Sequence, residues 1–154
     1  MEVFMQLLSF SLNGVDYGIP LKDVESIEGR INCVNVPTAP KYIKGIIRLH
    51  GNIVPVLSLA ARFGLQELPV ENMIVANVDG MKIALEVEKV REIVDVENSR
   101  VLPMPMLMSS VQNCFNDVAS CQQELIVMLD VKSLVSLEEQ QQLRKLIEDS
   151  SNGN

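Results

Sequence analysis

An internal repeat, offset by 66 residues, constrains this chain more than any other feature. Leu8, Phe10 and Leu12 alternate into Asn13-Gly14, and Val15, Tyr17 and Ile19 alternate out. The same arrangement returns at Ile74, Ala76 and Val78, then Asp79-Gly80, then Met81, Ile83 and Leu85. A period of two marks half-buried strands. Asn-Gly and Asp-Gly suit type I′ turns, which need positive φ at both central residues, so each copy reads as a β-hairpin. The register runs without a gap from residues 7–37 onto residues 73–103, and Val24, Ile27 and Pro37 recur as Val90, Ile93 and Pro103. After a short insertion, residues 52–59 parallel 124–131: an apolar strand, then Ser58 or Asp130, whose side-chain oxygen can cap a short helix at 59–63 or 131–134. A repeat determines architecture before any single motif does. The expectation is an all-β chain of two similar small barrels with a few brief helices.

Ser136 and Glu139 have capping-box spacing ahead of Leu143, Leu146 and Ile147, which predicts a C-terminal amphipathic helix burying those three side chains. Residues 150–154 should fray. The proline- and methionine-rich stretch 102–108 reads as an irregular connection, because proline donates no hydrogen bond to a central strand. Its methionines suit core packing, a loop over a barrel mouth or a docking surface. Glu25, Glu28, Glu86, Glu88, Glu92, Asp95 and Glu97 read as the solvated faces of helices and turns.

With 154 residues, 47% of them hydrophobic, the chain can bury a core. Its formal charge of −7 opposes the phosphate backbone, so nucleic acid is not an expected partner. No apolar run is long enough for a bilayer span and no signal-peptide pattern opens the chain, so the expected location is cytoplasmic, without membrane insertion. Cys33, Cys114 and Cys121 form no CxxC pair and read as free thiols, although Cys114 and Cys121 could meet in space. His50 is the only histidine, and there is no HExxH, GxSxG or P-loop. No catalytic residue, metal ligand or cofactor is therefore expected.

The stretch Ile43-Lys44-Gly45-Ile46-Ile47-Arg48-Leu49-His50-Gly51-Asn52-Ile53-Val54-Pro55-Val56-Leu57-Ser58-Leu59 resembles the central motif of CheW-type chemotaxis coupling proteins. Asn13-Gly14, Tyr17-Gly18-Ile19, Val24, Ile27, Gly29, Pro37 and Ala39-Pro40 are similar to the start of that family. Asp79-Gly80 through Ile93 and Leu125 through Leu134 are similar to its second half. The resemblance implies two intertwined five-stranded SH3-like β-barrel subdomains in one domain over residues 1–149. Subdomain 1 would span about 1–66 plus the helix at about 136–148, and subdomain 2 about 67–135. It further implies a non-enzymatic adaptor that links the cytoplasmic tip of a chemoreceptor to the regulatory domain of a CheA-type histidine kinase. Val24, Gly45, Leu49, His50 and Gly51 would belong to a receptor-binding groove between the barrels, and the kinase domain would dock at barrel ends.

Four positions, in three places, depart from the family pattern. Arg48-Leu49-His50-Gly51 stands where Asn-x-Arg-Gly is usual, Ser26 where glutamate is usual, and Ser58 where aspartate is usual. Ser58 keeps the capping chemistry, whereas Ser26 and His50 bear on partner contacts. A CheW-like domain serving a different signalling complex, or a small-ligand sensor with an apolar pocket between the barrels or under residues 104–108, stays open as an alternative.

Overall fold

The computed structural model describes residues 3–103, 114–115 and 117–152, with side chains through residue 150. Among the described residues, eleven strands form two sheets. In chain order they are β1 (Phe4–Leu12), β2 (Val15–Pro20), β3 (Val24–Gly29), β4 (Ile43–Leu49), β5 (Asn52–Ser58), β6 (Asn72–Val78), β7 (Met81–Val87), β8 (Lys89–Glu97), β9 (Val101–Pro103), β10 (Asp117–Cys121) and β11 (Glu124–Met128). Helix α1 spans Leu59–Arg62 and α2 spans Leu137–Asn152. The expected turns are present: Asn13-Gly14 and Asp79-Gly80 both have positive φ, as type I′ geometry requires. His50-Gly51 and Gln122-Gln123 share this geometry and close β4 on β5 and β10 on β11.

The six-stranded sheet runs β8-β1-β2-β11-β10-β9 and the five-stranded sheet runs β3-β6-β7-β5-β4. Each repeat therefore contributes its first hairpin to the other repeat's sheet. The exchange keeps register: Leu8 faces Ile93 and Phe10 faces Val90, just as Ile74 faces Ile27 and Ala76 faces Val24. A bulge interrupts each pairing at the same place. The parallel junctions also match, with Gly18 opposite Met128 and Ala84 opposite Val56. The proposed division at about residue 66 follows the sequence repeat, while sheet pairing crosses it. The extra strand β9 has a reduced counterpart in the five-stranded sheet, the single bridge from Val34 to Ile46.

Exchange gives the central strands two buried faces. Met73 and Val75 of β6 point into one barrel with Ile47, Leu49, Val54, Val56 and Ala84. Ile74, Ala76 and Val78 of the same strand point into a larger core shared with Leu8, Phe10 and Leu12 of β1. Leu7, Val96, Ala119, Ile126 and Met128 fill the other barrel. Helix α2 lies over the shared core, with Leu143 fully buried and Leu146 and Ile147 half-buried against it.

Local expectations fare unevenly. Ser58 caps α1 by accepting from the Ala61 amide at 3.1 Å, and Asp130 accepts from Lys132 at 3.2 Å ahead of the 3₁₀ turn Val131–Ser133. The capping box forms, the Ser136 amide donating to Glu139 at 2.9 Å and the Glu139 amide to Ser136 at 3.1 Å. The reading of the carboxylates as solvated faces of helices and turns is corrected: Glu25 and Glu28 lie in strand β3, Glu92, Asp95 and Glu97 in strand β8, and Glu86 is half-buried in β7. Edge strands tolerate charge on their open side, and that mixture hid the period of two. Leu102 and Pro103 end β9, a sheet edge where proline loses no ladder bond. The methionines at 104–108 lie outside the described residues. Helix α2 continues to Asn152, into the segment expected to fray. All three cysteines are free.

Candidate functional site

The β4–β5 turn carries three of the five expected site residues. Leu49 points inward and is buried in the barrel. His50 follows with φ of 49° and Gly51 with φ of 82°. A left-handed conformation is uncommon outside glycine but tolerated by histidine in a tight turn. That geometry puts the imidazole outside the barrel, its side chain 74% exposed. Arg48 and Asn52, on either side of the turn, are also exposed.

Gly45 lies earlier on β4, at a bulge opposite β5. A Cβ there would stand 2.1 Å from the carbonyl oxygen of Val34, so only glycine lets the Val34 strand lie this close. Val34 and Ile46 exchange both backbone hydrogen bonds at 2.9 Å. Val24 starts β3, opposite Ala76, and its half-buried side chain packs against the shared core. The five residues thus belong to one sheet: four on β4 and its turn, and Val24 on the far edge strand. The structure presents His50 and Gly51 to solvent, while Gly45 and Leu49 shape the barrel beneath them.

Strands β3 and β4 are opposite edges of their sheet, yet Glu28 of β3 comes within 3.8 Å of His50 Nε2. The sheet has curled until its edges meet at this turn. In the sequence Glu28 reads as a solvated carboxylate, and no motif singles out Val34. A period-two reading of residues 24–28 would have put Val24, Ser26 and Glu28 on one face and flagged the first omission.

The titratable groups near the site are held by burial and by ion pairing. Burial raises the Cys33 thiol, with Glu86 adding to the effect, and a raised thiol is a poor nucleophile at neutral pH. Burial likewise raises the Glu86 carboxyl. Glu67 is held below the ordinary carboxylate range, first by its ion pair with Lys44 and then by the Ser58 hydroxyl, which donates to it at 3.1 Å. Among the described residues no three His, Cys, Asp or Glu are placed to hold a metal, and no helix is long and apolar enough to cross a membrane. The arrangement is a contoured surface with the His50 imidazole at its tip and the Arg48 guanidinium beside it.

Residues 6–139 match the family model described as the CheW-like domain. A chemotaxis protein CheW of Treponema pallidum is 26% identical over 149 residues, covering 92% of this chain and 88% of its own. The CheW of Klebsiella aerogenes is 24% identical over 141 residues, covering 89% and 85%. Among solved structures, the scaffolding protein TtCheW of Thermoanaerobacter tengcongensis superposes with a TM-score of 0.82 at 24% identity, covering 89% of this chain and 96% of that one. With a family model spanning most of its length and the paired SH3-like barrels in place, the chain belongs to the CheW-like domain family.

Proposed function

We propose that this chain is a chemotaxis coupling adaptor, which binds a chemoreceptor's cytoplasmic tip and the regulatory domain of a CheA-type histidine kinase and catalyses nothing itself. The observation that carries the reading is the family match over residues 6–139, the whole double barrel. Relatives that cover more than four fifths of the chain bear the name of a chemotaxis protein, and a structural neighbour is titled a scaffolding protein. The receptor surface in this proposal is the exposed His50-Gly51 turn, supported from inside by Leu49 and Gly45 and flanked by β3 from Val24 to Glu28. The kinase docks at barrel ends. The cytoplasm, where both partners' docking surfaces lie, is the proposed site of action.

Titration calorimetry of the purified chain against its own organism's receptor tip and kinase regulatory domain tests the proposal. Stoichiometric binding of both at or below tens of micromolar, the range of weak transient contacts, is expected. Absence of binding to both overturns it.

A further inference from the structure

The exact register of the repeat allows the two barrels to be compared position by position. The offset of 66 carries Glu28 onto Val94, and the offset of 72 after the insertion carries His50 onto Gln122. In the first barrel Glu28 and His50 stand 3.8 Å apart where the sheet edges meet. In the second, that place is an open slot of about 340 Å3, lined by both Val94 and Gln122. Its floor includes the buried Ser9 and Ile126. One wall is residues 91–95 of β8, and the other holds Cys121, Gln122 and Glu124 of the β10–β11 hairpin.

Strand β8 is nine residues long and among the described residues pairs only with β1, so one side of its backbone is an open edge there. Free edges are templates for added strands. The backbone is also held in place: Ser9 Oγ donates to the Glu92 carbonyl at 2.8 Å and accepts from the Glu92 amide at 3.2 Å, across the bulge. Ile93 is 53% exposed on this edge, an apolar side chain among charged ones.

The slot's charge is one-sided. Asp16, Glu92, Asp95 and Glu124 line it against a single cation, Arg91, which is already paired with Asp16 at 3.1 Å. Among the described residues the carboxylates of Glu92, Asp95 and Glu124 have no partner. The matching edge of the first barrel uses its carboxylates internally, Glu25 accepting from Asn77 at 3.1 Å and Glu28 facing His50. Like charges around a concavity focus their field on an incoming opposite charge.

We propose that this slot is a docking site for an extended, lysine- or arginine-bearing segment of a partner protein, which adds a strand to the free edge of β8. Backbone pairing supplies the affinity, an apolar residue of the segment covers Ile93, and its cations meet Glu92, Asp95 and Glu124. This surface is separate from the His50 turn and does not depend on the receptor assignment.

The test uses the full chain and a fluorescein-labelled octapeptide of alternating lysine and valine, followed by anisotropy and amide chemical shifts. Binding is expected with shifts at residues 91–95 and 121–126, weakening as salt rises. The triple variant Glu92→Gln, Asp95→Asn, Glu124→Gln, checked for folding by circular dichroism, should bind at least about tenfold more weakly, given roughly half a kcal/mol or more per charged contact. A triple variant of equal charge change elsewhere, Glu71→Gln, Glu138→Gln, Asp149→Asn, should stay within about twofold of the native chain. Equal weakening in both variants, equal binding of a glutamate-valine octapeptide, or shifts away from β8 would each overturn the proposal. No binding at all would also overturn it and leave the carboxylates as protection of an edge strand against aggregation.

Discussion

A methyl group at position 45 would meet the Val34 carbonyl carbon at 2.7 Å as well as its oxygen, and both are backbone atoms that cannot rotate away. Gly45→Ala should therefore push the Val34 segment off β4 and cost about 3 kcal/mol or more in urea unfolding. Gly51→Ala makes a contrast, because a Cβ there meets nothing within 4 Å and only the positive φ opposes it. About 1 kcal/mol is expected for that variant. A loss of receptor binding by folded Gly51→Ala then reports on the surface, whereas a loss by Gly45→Ala reports on the barrel. His50 poses a different question. Arginine is always charged and offers a planar fork of five donors, whereas an imidazole offers at most two. His50→Arg should strengthen binding to an acidic tip. Glu28, 3.8 Å away, competes for the same positive charge, so the full gain should appear only with Glu28→Gln in addition. Equal affinities for the native chain, His50→Arg and His50→Ala would remove the imidazole from the interface.

Helix α2 is joined to the rest of the molecule by polar contacts at its start and by an apolar stripe further on. Tyr42 donates its hydroxyl to Glu139, Arg62 lies over the Tyr42 ring at 5.3 Å, and Arg62 Nε donates to the Leu134 carbonyl at 2.9 Å. Burial, reinforced by Glu139, raises the Tyr42 phenol above its ordinary value. Burial acts to raise Glu139 too, but Tyr42, Ser136 and Arg62 outweigh it and hold that carboxyl low. A depressed carboxyl stabilises the fold above its unfolded-state value and loses that contribution as the pH falls toward the folded one. The melting temperature should therefore hold from pH 7 down to about 5 and drop below it, and Glu139→Gln, which removes the titrating group, should drop less below that pH. Leu143→Ala should cost about 2 to 5 kcal/mol, since its side chain is 1% exposed. These helix features were legible in the sequence because capping is local chemistry, carried by Ser136, Glu139, Ser58 and Asp130 within three residues of the amides they serve. The Asn13-Gly14 and Asp79-Gly80 turns were legible for the same reason. Gln122-Gln123 was not, because neither residue advertises positive φ and the neighbouring strands alone impose it. Strands β3 and β8 were misread because charged edges blur the period. At the site, the motif brought out Gly45 and His50, but their partners Val34 and Glu28 come from distant segments that only the fold brings near.

Across the whole molecule, the decisive feature is the exchange of first hairpins between repeats, which no local signal announces. Sequence order identifies two like units; it does not say which neighbour each hairpin will pair with. Because β1 and β2 complete the sheet of β8 to β11, and β6 and β7 complete that of β3 to β5, neither half contains a whole sheet. Fragments 1–66 and 67–154 should each lack cooperative unfolding alone, yet recover the native circular dichroism spectrum when mixed. A chain cut between α1 and β6 should elute from size exclusion as one particle. Independent folding of either fragment would contradict the sheet pairing. The exchange also bears on ancestry. A solitary repeat of this topology would have a hairpin with no sheet of its own to complete, and a sheet with two strands missing. Two such chains could satisfy both needs by trading hairpins about a twofold axis, and joining them end to end would change no strand pairing. The present molecule is, in that sense, a dimer written as a single chain, and the freedom gained by joining is that its two surfaces, one pinched by Glu28 and His50 and the other open, no longer have to be the same.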